Sequence, residues 1–170
     1  PDTLTTMVGH GARVLLTHAL ELNGITPDSD RLDNLFALFI DHYSRHIADA
    51  SLPYPGAIAA LDRFQATGWL LAVCTNKLEG LSRQLLGALG IADRFAAIAG
   101  QDTFSVRKPD PRHLLETITM AGGDWQNAMM VGDTIVDVDT AKAAGVPVIA
   151  VTFGYSAIPV AELGADAVIE

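Results

Sequence analysis

One cysteine, Cys74, stands among 170 residues, so the chain can form no internal disulfide, and a lone thiol suits a reducing compartment. Basic residues are scarce. The 11 Lys and Arg are outnumbered by 20 Asp and Glu, for a net charge of −9, and no Lys/Arg cluster exists to attract a nucleic-acid backbone. A phosphorylated ligand fits this charge only where a local cation or a bound metal offsets the field. No apolar run approaches the ~18 residues that a membrane helix needs. Pro1-Asp2-Thr3-Leu4 has neither the basic nor the apolar part of a signal peptide. Repeats and low-complexity tracts are missing too. These absences point to a cytoplasmic domain with no nucleic-acid and no membrane partner.

What is present is material for a core. With 49% hydrophobic and 18% charged residues, the chain can build one sizeable apolar interior and carry a small second unit. Two textures divide it. Residues 1–53 read as helix alone: Ala12, Leu15, Leu16, Ala19 and Leu22 share one face, and Leu32, Leu35, Phe36, Phe39, Ile40, Tyr43 and Ile47 share another. Between them lies Asn23-Gly24-Ile25-Thr26-Pro27-Asp28, a C-cap glycine followed by a proline and a capping candidate.

Residues 54–170 alternate. Helices are expected over 57–67, 79–89, 111–121 and 136–144, several stopped by glycine, with a short one near 158–163. Buried strands are expected at 69–74, 95–99, 128–131 and 147–151, and one more at 166–169. Strand-helix alternation of this kind predicts an α/β fold with an open, doubly wound parallel sheet.

Three polar clusters follow strands or open helices: Thr75-Asn76-Lys77, Arg107-Lys108-Pro109-Asp110-Pro111, and Gly132-Asp133 with Asp137. Carboxyl ends of strands in such sheets form the crevice that binds ligands. A hydroxyl, an amine and paired carboxylates there could hold a phosphoryl group, whose transfer depends on positioning and charge neutralisation. Mg²⁺ favours a few carboxylates plus water and phosphate oxygens. Singly, each cluster has a plainer reading as a helix cap or a solvated lysine; their order at strand ends is what carries the argument. His42 and His46, four apart on a helix, read as a solvated face, and Cys74 as a small core residue. His10, between two glycines, suits either a backbone cap or a substrate contact.

The order Thr-Asn, Lys-Pro-Asp-Pro, Gly-Asp-x-x-x-Asp resembles the second, third and fourth motifs of the haloacid dehalogenase-like superfamily. Within it the chain is most similar to the phosphoglycolate phosphatases, through Val8-Gly9-His10-Gly11-Ala12, Ala141-Lys142-Ala143-Ala144-Gly145 and Thr152-Phe153-Gly154-Tyr155. The resemblance implies a helical cap over residues 1–53 and an α/β phosphatase core over 54–170. It implies that Thr75 and Asn76 bind phosphoryl oxygens, that Lys108 steadies the nucleophile and the phosphoryl charge, that Asp133 ligates Mg²⁺ and Asp137 supports the metal shell, and that Gly9, His10 and Gly11 face the non-phosphate end of a small phosphorylated metabolite. The expected reaction is hydrolysis of a phosphate monoester, 2-phosphoglycolate to glycolate, through an aspartyl-phosphate. Alternatives are a sugar-phosphate mutase, a pyrophosphatase or a non-catalytic phosphate- or Mg²⁺-binding module.

One departure stands out. The family's nucleophile motif, Asp-x-Asp-x-Thr after a strand, has only two look-alikes here, Asp28-Ser29-Asp30 in a turn and Asp137-Val138-Asp139-Thr140 within a helix. Without that motif the 170 residues alone are expected to be inactive. Its strand is expected at the centre of the sheet, between those ending at Cys74 and Val131. The sheet should therefore part along its middle, and the chain should not fold as an independent monomer.

Overall fold

The structure, a computed structural model, describes residues 11–170; Gly9 and His10 lie outside the described residues. The first two helices among the described residues, α1 (Ala12–Leu22) and α2 (Ser29–Arg45), form a hairpin. Asp28 precedes α2 and its carboxylate accepts the Arg31 N–H at 2.8 Å, which fills an orphan donor of the first turn. Asp28-Ser29-Asp30 is therefore a helix start. Arg13 of α1 pairs with Asp33 of α2 and lies 5.3 Å from the Phe36 ring centre.

Alternation then begins: α3 (Ala57–Ala66), β1 (Ala72–Cys74), α4 (Glu79–Ala88), β2 (Ala97–Ala99), α5 (Pro111–Met120), β3 (Met130–Gly132), α6 (Ile135–Ala144), β4 (Val148–Val151) and β5 (Ala167–Ile169). Pro111 opens α5, where its fixed φ suits the first turn and its missing N–H costs nothing. Glycines with left-handed φ, Gly90 and Gly145, follow α4 and α6, where a side chain would be strained.

Among the described residues every strand pair is parallel, but the strands form two sheets, β1-β2 and β3-β4-β5. One long groove lies between them. It is lined by Leu70, Ala72 and Cys74 on one side and by Met130 and Val131 on the other. Helix α5 packs on β1, β2 and α6 and so joins the halves. The core gathers Leu114 of α5, Met130, Val148 and Ala150 of the second sheet, Val138 and Ala141 of α6, and Leu163. Full burial of a valine such as Val138 or Val148, each 0% exposed, stabilises by about 1.5–3 kcal/mol.

The groove corrects the expected buried strand at 69–74. Only Ala72–Cys74 is strand, and Trp69 and Leu70 are 42% and 56% exposed, because among the described residues β1 is paired on one side alone. Val131 of β3 is 51% exposed for the same reason. The helix expected near 158–163 is one 3₁₀ turn, Val160–Glu162. Among the described residues no helix is long and apolar enough to cross a membrane.

Candidate active site

The carboxyl ends of β1 and β3 and the starts of α5 and α6 meet under the α1-α2 hairpin, around a cavity of about 410 Å³. Thr75, Asn76, Lys108, Asp133 and Asp137 all line it, and so does Gly11. The first five come from three separate strand-to-helix or loop-to-helix junctions, and hydrogen bonds tie those junctions together.

Thr75 extends the β1 ladder by donating its N–H to the Ala99 carbonyl at 3.0 Å. Its hydroxyl oxygen accepts the Lys77 N–H at 3.1 Å, which folds the following loop. Asn76 is buried and its amide donates to the Lys108 carbonyl at 3.2 Å. The Lys108 ammonium, in turn, donates to Asp137 Oδ1 at 2.5 Å.

Asp137 is crowded with donors. Its Oδ2 accepts the Thr134 hydroxyl at 2.8 Å, the Thr134 N–H at 3.1 Å and the Asp133 N–H at 3.2 Å, which makes a capping box at the start of α6. Burial pushes this carboxyl up, but the Lys108 charge and these donors outweigh it and hold Asp137 below the ordinary carboxylate value. The backbone approaches closely here: a β-carbon on Gly132 would sit 2.4 Å from Asp137 Cβ. Asp139, two residues on, is exposed, so the second Asp-x-Asp look-alike splits across two faces of α6.

Asp133 is placed differently. Its Oδ2 accepts the Tyr155 N–H at 2.7 Å, and Oδ1 has no hydrogen-bond donor among the described residues. A β-carbon on Gly154 would fall 2.2 Å from Asp133 Oδ2, so only glycine lets the loop after β4 reach the carboxylate. Tyr54 and Phe153 pack their rings 4.8 Å apart on this side. Burial pushes the Tyr54 hydroxyl up, and the neighbouring Tyr155 and Asp133 add to the shift.

This donor set fits a hard divalent cation that keeps most of its water. Asp133 lines the cavity and its Oδ1 has no donor among the described residues, whereas both oxygens of Asp137 already accept hydrogen bonds. Asp137 therefore supports the site through Lys108 and the Asp133 N–H. No group of three or more His, Cys, Asp or Glu able to hold a metal occurs among the described residues.

The set of motifs at strand ends matches a known family. The family model for haloacid dehalogenase-like hydrolases covers residues 3–151. The chain belongs to that family. It is 55% identical over 162 residues to the phosphoglycolate phosphatase of Mesorhizobium japonicum, which spans 95% of this chain and 71% of that protein. It is 49% identical over 170 residues to the phosphoglycolate phosphatase of Agrobacterium fabrum, covering 99% of this chain and 72% of that protein. A crystal structure described as a predicted phosphoglycolate phosphatase from Haemophilus somnus superposes with a TM-score of 0.90 at 27% identity, over 98% of this chain and 76% of that one.

Two other sequence candidates lie elsewhere in this hydrolase fold. The rings of His42 and His46 stand 4.6 Å apart, and His46 Nδ1 meets Asp49 at 2.7 Å on an exposed surface. Cys74 is paired with buried His113. His113 donates from Nε2 to the Gly100 carbonyl at 2.8 Å and accepts the thiol at Nδ1, 3.3 Å away. Burial pushes the Cys74 thiol up, which keeps it protonated and unreactive. Nothing in the sequence alone marks Thr134, Gly154 and Tyr155 as site residues through their own chemistry. The Thr-x-x-Asp spacing of a capping box was the one local signal that could have found Thr134.

Proposed function

We propose that the full-length phosphatase to which this chain contributes binds Mg²⁺ and hydrolyses 2-phosphoglycolate to glycolate and inorganic phosphate through an aspartyl-phosphate. The single cavity that gathers Thr75, Asn76, Lys108 and Asp133 carries the reading, and the names of its relatives from M. japonicum and A. fabrum supply the substrate. Thr75 and Asn76 orient the phosphoryl oxygens. Lys108, held by Asp137, offers its remaining N–H bonds to the charge that grows on the transferring group. Asp133 would hold Mg²⁺, which neutralises phosphate charge when bound.

A carboxylate oxygen forms the new bond to phosphorus while the ester P–O bond breaks, and glycolate leaves after its alkoxide gains a proton. Water then attacks the acyl phosphate at phosphorus, which releases phosphate and restores the carboxylate. None of the lining residues named here takes the nucleophile's part. Asp137 is bound to Lys108 and the helix start, and Asp133 is the residue that would hold Mg²⁺. We assign that role to an Asp-x-Asp-x-Thr segment outside these 170 residues. In the same proposal, residues 1–53 are a cap, 54–170 are the core, and the enzyme is cytoplasmic. Gly9, His10 and Gly11 are proposed to border the non-phosphate end, from a segment of which only Gly11 is described.

Phosphate release from 2-phosphoglycolate by the full-length protein, with and without Mg²⁺ and against a panel of sugar phosphates and pyrophosphate, tests the assignment. Preference for 2-phosphoglycolate that vanishes on chelation is the expected result. Faster turnover of a sugar phosphate or of pyrophosphate would replace the substrate.

A further inference from the structure

The cavity holds a second cation that the roles above leave over. Lys77 follows Thr75 and Asn76 on the loop after β1, and its ammonium reaches the hairpin, where it donates to the Tyr43 hydroxyl of α2. It lies 4.3 Å from the centre of the Tyr43 ring, a distance at which the ring's quadrupole attracts a cation. Both side chains line the cavity.

Lys77 and Lys108 differ in one respect. Lys108 is neutralised by Asp137, whereas Lys77 forms no ion pair with any carboxylate among the described residues, in a chain of net charge −9. The Tyr43 oxygen accepts from the ammonium, so its own O–H is free to donate elsewhere. Two donors therefore stand side by side with spare hydrogens, next to the apolar walls of Leu15, Phe39 and Leu81. An acceptor-only anion complements them.

We propose that Lys77 and Tyr43 bind the carboxylate of the substrate and select phosphate monoesters of short hydroxy acids over neutral alkyl phosphates. The proposal rests on the phosphatase reading and adds the group that recognises the non-phosphate end. Lys77 and Thr75 line the same cavity and their loop is folded by the Lys77 N–H on the Thr75 hydroxyl at 3.1 Å, so one small ligand can present a phosphoryl group to Thr75 and a carboxylate to Lys77. The Tyr43 ring also restrains the lysine before any ligand arrives, which lowers the ordering cost of binding.

The alternative is a latch that only joins α2 to the core. Calorimetry on the full-length protein separates the two, with phosphonoacetate and ethylphosphonate as ligands of similar size that differ by a carboxylate. The wild type should prefer phosphonoacetate by about 10- to 100-fold, the worth of a hydrogen-bonded charge. Lys77→Met should erase that preference while ethylphosphonate binding stays within about 3-fold, and Tyr43→Phe should reduce it by about 3- to 10-fold. No preference in the wild type, or equal weakening of both ligands by Lys77→Met, overturns the proposal in favour of the latch. If Lys77→Met does not fold, the preference ratio of Tyr43→Phe decides. If the preference is present and is lost in Lys77→Met but 2-phosphoglycolate is not hydrolysed, the catalytic reading fails and the carboxylate site stands.

Discussion

Lys108 and Asp137 form a buried ion pair, 2.5 Å from Nζ to Oδ1, with side chains 9% and 8% exposed. It joins the loop before α5 to the first turn of α6, and Asn76 ties the same loop to the end of β1 through the Lys108 carbonyl. A lone buried charge is costly, so each partner keeps the other in place. The pair holds one ammonium at a fixed point of the cavity wall, ready to meet an anion.

Lys108→Met should therefore damage both stability and chemistry. Asp137 would keep an uncompensated buried charge, at a cost of about 3–5 kcal/mol in urea unfolding. The double variant Lys108→Met with Asp137→Asn should recover about half of that loss, because no net charge is left behind. Turnover by the full-length protein should fall in both, with kcat reduced more than KM is raised, since an ammonium at the phosphoryl group matters most in the transition state. A single variant that costs under about 1 kcal/mol would mean the pair is solvated in solution.

Asp133 and Gly154 should act as one unit. Asp133→Ala removes the cavity-lining carboxylate and is expected to abolish Mg²⁺-dependent hydrolysis while the circular dichroism spectrum stays unchanged. Gly154→Ala leaves the carboxylate in the chain but drives a β-carbon to 2.2 Å from its Oδ2, so the side chain or the loop must move. Mg²⁺ affinity should drop by about 10- to 100-fold, as for other changes to groups that orient a metal ligand. Wild-type metal affinity in Gly154→Ala would show that the Tyr155 loop does not position Asp133.

His113 sets a pH dependence of stability. It is 0% exposed; burial lowers its pKa below that of a free imidazole, and Lys108 opposes its charge further, though the Gly100 carbonyl pulls the other way. The folded protein thus binds the proton less readily than the unfolded chain does. The stability this contributes is full above about pH 6.5 and is lost as pH falls towards the lower folded value. Urea unfolding of the wild type should show that decline between pH 7 and pH 5, and His113→Gln should flatten it. An unchanged slope in the variant would assign the decline to other groups.

Much of the fold was legible because its signals are local. Helix stops at Gly90 and Gly145, the Pro111 start of α5 and the Asp28 cap each depend on a few neighbouring residues. The opposite exposure of Asp137 and Asp139 followed from helical spacing alone. Contacts that span the chain were not legible. Lys108 and Asp137 are 29 residues apart, Tyr43 and Lys77 are 34 apart, and Tyr155 reaches back 22 residues to Asp133. No period or cap announces such pairs. Trp69-Leu70-Leu71 misled for a related reason: an apolar run predicts a strand only where a neighbour is there to pair with it.

The parted sheet governs how residues 1–170 should behave by themselves. β4 is paired on both sides, with Met130–Gly132 and with Ala167–Ile169, whereas among the described residues β1 pairs only with β2 and β3 only with β4. The inner edges of β1 and β3 face one apolar groove, with Leu70 and Val131 more than half exposed. Free edges of this kind carry unpaired N–H and C=O groups and invite pairing with another chain. Total stability of ~5–15 kcal/mol leaves little room for such losses. Expressed alone, this stretch should self-associate or aggregate, and its amides at Ala72–Cys74 and Met130–Gly132 should exchange much faster than those of β4. An extended apolar strand supplied in trans should slow exchange at both edges together, because one inserted strand would pair with each. A soluble monomer already protected at both edges to the level of β4 would show that the two half-sheets close on each other in solution.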